Sequence, residues 1–194
     1  MSLFTVLIGA ALINNFVFTQ FLGLCPFFGV SRRTEAAMGM GLSVTFVLTI
    51  ASAATWVFYF KVLEPLGLDY LKIMVFVLVI AAIVQFLEMY MKKAFKGLYA
   101  MLGIYLPMIT TNCIITGVAL LNVGSGYGFL ASVVYALGAG LGFLLAIVLM
   151  SVVREKYENH PSVPRIFQGF PLALFAAGLM SIAFMGFQNL SIGR

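Results

Sequence analysis

An all-α integral membrane protein of six transmembrane helices, built as two inverted three-helix repeats with spans 1 and 4 broken, is predicted by three observations. The 194 residues are 63% hydrophobic and only 9% charged, with a mean hydropathy of +1.12, more apolar than a soluble domain of this size tolerates. Six uncharged or nearly uncharged runs, at about 3–28, 37–60, 71–91, 98–121, 129–153 and 169–190, each approach the roughly 20 residues that carry a helix across hydrocarbon. Two short motifs recur at about half the chain length. Ala37-Met-Gly39-Met-Gly41-Leu42 returns as Ala136-Leu-Gly138-Ala-Gly140-Leu141, and Asn15-Phe-Val17-Phe-Thr19 as Asn112-Cys-Ile114-Ile-Thr116, at offsets of 99 and 97.

The repeat divides a single membrane domain, 1–194, into halves 1–96 and 97–194 with three spans each. Three is odd, so the halves enter the membrane in opposite senses, and such proteins place their working site near the midplane where the halves meet. The connections are too short for a water-soluble domain. Met1-Ser2-Leu3 carries no basic region, so a cleavable signal peptide is not expected.

Span 1 is too long for one upright helix: Leu3 to Val30 would reach roughly 42 Å, against about 30 Å of hydrocarbon. Asn14, Asn15 and Gln20 lie inside it, followed by Gly23-Leu24-Cys25-Pro26. Pro26 lacks the N–H that continues a regular ladder, which predicts a break. Span 2 opens on the Gly-rich motif, which small-residue helix packing explains better than a dinucleotide loop, since no strand precedes it. Span 3 holds Gln85 and Glu88, the one acidic residue clearly within a span. An ion-pathway role and an i,i+4 pair with Lys92 account for Glu88 equally well. Span 4 resembles span 1 in character, with Pro107 before Thr110-Thr111-Asn112-Cys113 and Gly117 after. Broken helices survive in a bilayer where their freed backbone groups are buried in protein or line a cavity. Spans 5 and 6 are uninterrupted.

Charge fixes the orientation. Arg32, Arg33, Lys92, Lys93, Lys96, Arg154, Lys156 and Arg165 fall on one side of six spans, and Lys61, Lys72 and Arg194 on the other. Eight against three puts the first side in the cytoplasm and both termini outside, across an inner membrane. The net charge of +5 is thereby explained by topology, and no nucleic-acid partner is expected.

Cys25 and Cys113, one in each half, are the only thiols. Four cysteines holding an iron–sulfur cluster carry net negative charge, and helix starts at the breaks offer N–H donors for it. Two thiols make half such a site, so a cluster would need two more ligands from another subunit. Other readings stand beside this one. A buried cysteine is often a small apolar filler, a disulfide is poorly motivated without an outward loop, and a zinc site lacks nitrogen ligands because His160 is alone.

A longer set of motifs sharpens the choice. Asn14-Asn15-Phe-Val-Phe, Phe21-Leu-Gly-Leu-Cys25-Pro26-Phe27, Glu35-Ala-Ala-Met-Gly-Met-Gly-Leu42, Val84-Gln85-Phe86-Leu-Glu88-Met89, Leu102-Gly-Ile-Tyr-Leu-Pro107-Met-Ile-Thr-Thr-Asn-Cys113 and Gly178-Leu-Met-Ser-Ile-Ala-Phe-Met-Gly186-Phe187 resemble the A-type membrane component of the Rnf electron transport complex, an ion-translocating ferredoxin:NAD oxidoreductase. The likeness spans nearly the whole chain and extends more loosely to the paralogous E-type component of the sodium-translocating NADH:quinone oxidoreductase. The cysteine motifs show no departure from the Rnf pattern.

The resemblance implies a subunit that is not catalytic alone. It pairs with a homologous six-span sister, similar to the E-type Rnf component, and with the other Rnf subunits. Between them the sisters hold an intramembrane [2Fe–2S] cluster, with Cys25 and Cys113 as this chain's cofactor and metal ligands. Flavins and further iron–sulfur centres reside on partner subunits, and electron transfer between ferredoxin and NAD is coupled to Na⁺ or H⁺ translocation in a bacterial or archaeal inner membrane. The alternative from the residues alone is a secondary transporter with a midplane substrate site and incidental cysteines.

Overall fold

The computed structural model describes residues 3–67, 69–94, 108–109, 112–158 and 169–188. Within these residues the chain is helical, with no strand. Pro107, Thr110, Thr111 and His160 lie outside the described residues, as do the side chains of Glu88 and Lys92.

The first apolar run is divided, as its length demanded. Helix α1 (Leu3–Ile8) passes into a π-helical turn, Gly9–Ile13, closed by the Asn14 N–H donating to the Gly9 carbonyl at 2.7 Å. Two short helices follow, α2 (Phe16–Thr19) and α3 (Leu24–Val30). The break falls at residues 20–23, ahead of Pro26 rather than at it. Proline fits the first turn of a helix, where its missing N–H would have had no partner, and Pro26 is the third residue of α3.

Helix α4 (Thr34–Phe58) continues through a π-helical segment, Tyr59–Leu63, and a single turn, α5 (Glu64–Leu66). Gly67, at φ +64°, ends it in the left-handed conformation that glycine adopts without strain. Helix α6 (Lys72–Ala94) comes next, then α7 (Cys113–Gly124), α8 (Phe129–Glu158) and α9 (Phe170–Gln188). Thr34–Leu63 and Phe129–Tyr157 are each long and apolar enough to cross a membrane, and shorter apolar helices occupy Lys72–Leu87, Cys113–Gly124 and Phe170–Gly186.

The largest interhelical contact joins α4 to α8, and the repeated glycines explain its closeness. A Cβ on Gly140 would lie 2.8 Å from the Thr45 Cα, and one on Gly41 would lie 3.1 Å from the Leu144 Cα. Gly138 and Gly142 likewise bring α8 against the carbonyls of Leu7 and Ala11, each 2.8 Å from where a Cβ would stand. Small residues let helices pack backbone to backbone where lipid gives no hydrophobic drive for association. The core so formed includes Phe16, Phe27, Met40, Val44, Leu48, Ile114, Phe143 and Ile147, all buried.

Much of the outer surface is apolar. Phe46 on α4, Met74, Leu78 and Phe86 on α6, and Phe175, Leu179 and Ile182 on α9 are exposed. Such a surface suits lipid or a membrane partner rather than water.

Candidate functional site

Two helix starts are joined by a hydrogen bond from the turn ahead of one to the first residue of the other, and each carries a cysteine. Cys113 is the first residue of α7 and Cys25 the second of α3. The Gly23 N–H donates to the Cys113 Sγ at 3.0 Å, a bond that spans 90 positions and joins the break in the first run to the start of α7. Gly23 adopts φ +81°, and a Cβ there would meet the Phe143 ring at 3.2 Å and the Asn112 Oδ1 at 3.5 Å. Only glycine gives the turn that aims this N–H at sulfur without strain.

The asparagines of the repeated motif occupy matching positions. Asn15 caps α2 with extended backbone (φ −64°, ψ 112°), and its Oδ1 accepts from the Val17 N–H at 3.1 Å. Asn112 caps α7 in the same way (φ −74°, ψ 116°), accepting from the Ile114 N–H at 3.4 Å. The two caps differ in their amide nitrogens. Asn15 Nδ2 donates to the Gly142 carbonyl on α8 at 2.9 Å, whereas the buried Asn112 Nδ2 has no hydrogen-bond partner among the described residues. Asn14 and Gln20 are exposed at the ends of their segments.

Both thiols are free and exposed. Neither thiol lies among the buried core residues of this chain. Among the described residues no three His, Cys, Asp or Glu side chains gather into a metal site. The donor set is therefore two soft sulfurs at the surface, each in the first turn of a helix, where the helix dipole favours negative charge.

Sequence reasoning missed Arg154. Counted among loop charges, it instead lies inside α8, 2% exposed. Its Nη1 donates to the Phe28 carbonyl at 2.9 Å and to the Ser31 Oγ at 3.0 Å, closing the C-terminal end of α3. An open cleft of about 600 Å³ beside α3 is lined by Leu24, Cys25, Phe28, Arg32, Arg154 and Phe170. Its place at the head of the charged stretch Arg154-Glu155-Lys156 that ends α8 gave no sign of burial, since its partners lie more than 120 residues away.

The architecture and the site thus define a helical membrane protein whose two accessible thiols sit at neighbouring helix starts. The sequence matches the family described as "Rnf-Nqr subunit, membrane protein" over residues 3–191, and the chain belongs to that family. It is 50% identical over 193 residues, the full length of both proteins, to the A-type component of the Na(+)-translocating ferredoxin:NAD(+) oxidoreductase complex of Acetobacterium woodii. It is 52% identical over 192 residues, 99% of each chain, to the A-type component of the ion-translocating oxidoreductase complex of Syntrophotalea carbinolica. With the component of the same name from Cereibacter sphaeroides it shares 53% over 188 residues, 97% of each chain.

Proposed function

We propose that this chain is the membrane subunit of an ion-translocating ferredoxin:NAD oxidoreductase and that Cys25 and Cys113 supply half the ligands of a [2Fe–2S] cluster. A homologous sister protein supplies the other half, and the other Rnf subunits carry the flavins and remaining iron–sulfur centres. Six spans in two inverted repeats, with both termini on the outer side of the inner membrane, complete this reading.

The observation that carries it is the Gly23 N–H placed 3.0 Å from the Cys113 sulfur, two residues ahead of the exposed Cys25. Backbone N–H donors and helix starts offset the cost of holding a negatively charged sulfur centre in apolar surroundings. The cluster, when bound, supplies one-electron chemistry inside the hydrocarbon. The chain's own residues do the rest. Gly23 and Asn112 fix the start of α7, Arg154 and Ser31 fix the end of α3, and Phe28 and Phe170 line the cleft beside Cys25. Exposure of both thiols on one chain suits ligands shared across an interface between subunits.

The test is iron analysis and low-temperature electron paramagnetic resonance of the purified complex. Cys25→Ala and Cys113→Ala should each lose one iron–sulfur signal and ferredoxin:NAD electron transfer while the subunits still copurify. Full turnover by either variant refutes the ligand assignment. An iron-free, colourless pair of sister subunits favours the transporter reading instead.

A further inference from the structure

We infer that the break between α2 and α3 is an interaction surface for an apolar helix of a second membrane protein, with Phe21 as its projecting anchor and a cavity beside Phe21 as its socket. The inference rests on the reading of Cys25 and Cys113 as half a ligand set only for the identity of that second protein, the homologous sister. Among the described residues Phe21 is the one residue besides glycine at positive φ, +56°. A bulky side chain costs energy to hold in the left-handed region. Phe21 is nevertheless 59% exposed, so the strain does not serve to bury its ring, and a strained residue kept at the surface points to function.

The neighbours of Phe21 fix that conformation. The Phe16 carbonyl ends α2 by accepting from the Gln20 N–H at 3.3 Å and the Leu22 N–H at 3.0 Å, which leaves Phe21 in the turn between them. Leu22 covers Gly117 on α7, where a Cβ would stand 2.7 Å from the Leu22 Cδ1, and the Gly23 N–H holds the Cys113 sulfur. The turn that serves the sulfur thus also presents Phe21 at the surface. Beside it, Phe18, Phe21, Leu24, Phe27, Leu174 and Ala177 line an apolar cavity of about 110 Å³. A dry cavity of roughly 150 Å³ takes up benzene, so this one fits a single leucine-sized side chain. Leu24 and Phe28 line both this cavity and the cleft of Cys25, so anchor, socket and thiol form one continuous patch.

The patch suits a protein better than lipid. Lipid tails are as apolar as a phenylalanine ring, so a bilayer alone gives no drive to keep a strained ring in one place. A protein partner does, because interface hot spots set aromatic anchors and filled pockets against complementary shapes. The sister's share of the contact is a helix that seats one leucine-sized side chain in the cavity and leaves a gap of small residues for Phe21. The contact would also bring that helix to the cleft of Cys25, where the remaining ligands are needed.

The test uses the full chain coexpressed with the sister and purified in detergent. Phe21→Ala removes the ring and keeps the strain, and Phe21→Gly removes both. Gly178→Leu fills the cavity from α9, where a new Cβ meets nothing within 4 Å. Each should weaken retention of the sister on dilution by about tenfold or more, and the isolated Phe21→Gly chain should melt roughly 2–4 °C above Phe21→Ala. A folded Phe21→Gly or Gly178→Leu chain that holds the sister as tightly as wild type overturns the inference, as does a Gly variant no more stable than the Ala one. Where Gly178→Leu keeps its pairing but loses a phospholipid that native mass spectrometry finds on the wild-type pair, the cavity belongs to lipid and the inference falls. Iron-free wild-type pairs that still depend on Phe21 remove the cysteine-ligand reading and leave this surface standing. Iron-containing pairs indifferent to Phe21 remove the surface alone.

Discussion

Asn15→Ala should destabilise the protein much more than Asn112→Ala, although the two residues occupy equivalent places in the repeated motif. Each substitution deletes a helix N-cap, a loss worth about 1 kcal/mol. At Asn15 the same change also removes the donor to the Gly142 carbonyl, 2.9 Å away on α8; that carbonyl keeps its helical partner, so the loss adds about 0.5–1.5 kcal/mol. The total is about 1.5–2.5 kcal/mol. Asn112→Ala deletes only the longer 3.4 Å cap bond and takes with it an amide nitrogen that had no partner, so its cost should stay at about 1 kcal/mol or less. Trp56 is the only tryptophan, and it packs against Phe60 and Phe129 and donates to the Tyr127 carbonyl at 2.9 Å, so its fluorescence reports the α4–α8 core. For a chain of this size about 1 kcal/mol corresponds to roughly 2–4 °C. Thermal ramps in detergent at one fixed scan rate should then separate the two variants by roughly 2–4 °C, with the scans matched because irreversible unfolding makes only matched scans comparable. Equal shifts, or a larger one for Asn112→Ala, would show that the α2–α8 hydrogen bond contributes nothing beyond the cap.

Three further outcomes follow from the same geometry. Gly140→Ala should lower thermal stability by about 1–3 kcal/mol, because the new methyl lies 2.8 Å from the rigid Thr45 Cα; Gly178→Ala on α9, with nothing within 4 Å, should be neutral or slightly stabilising in the same ramp. Gly23→Ala should reduce iron retention by the complex more than it reduces expression, since the φ of +81° and the Phe143 contact at 3.2 Å both disfavour a side chain where the Cys113 sulfur receives its N–H. Ser181→Ala should cost about 1 kcal/mol in the thermal ramp, through loss of its 2.7 Å bond to the Phe18 carbonyl at the break between α2 and α3.

What could be read from the residues was whatever depends on short range. Apolar runs marked the helices, the repeated glycines marked close helix packing, and the polar and Cys-Pro motifs of the first run marked a broken helix, because caps and breaks are decided within a turn. The missing N–H of Pro26 pointed to a break at that residue, whereas the chain turns three to six residues earlier, since a proline is as compatible with beginning a helix as with ending one. Long-range pairings left no periodic trace. Asn122 donates to Ser52 at 2.7 Å across 70 positions and to the Ser132 carbonyl at 3.3 Å, joining α7, α4 and α8 through a buried polar cluster that no hydropathy pattern foretells. Arg154 was legible as a charge and not as a buried one, for the same reason.

The exposure of Cys25 and Cys113 carries the strongest constraint on what this protein does. A thiol kept as a packing residue belongs in the core, where Met40, Ile114 and Ile147 show that the chain has ample apolar filler. These two stand instead at the surface of a membrane protein, at the first turns of two helices, one with a backbone N–H directed at its sulfur. Helix starts near the sulfurs, a glycine at positive φ that turns its N–H toward one of them and a buried arginine at the far end of α3 gather around the two thiols. Their convergence on two sulfurs is intelligible if negative charge resides there in the assembled protein. One chain provides only two donors, so a shared centre of the kind proposed above would take its remaining ligands from a second protein that meets this chain along the starts of α3 and α7.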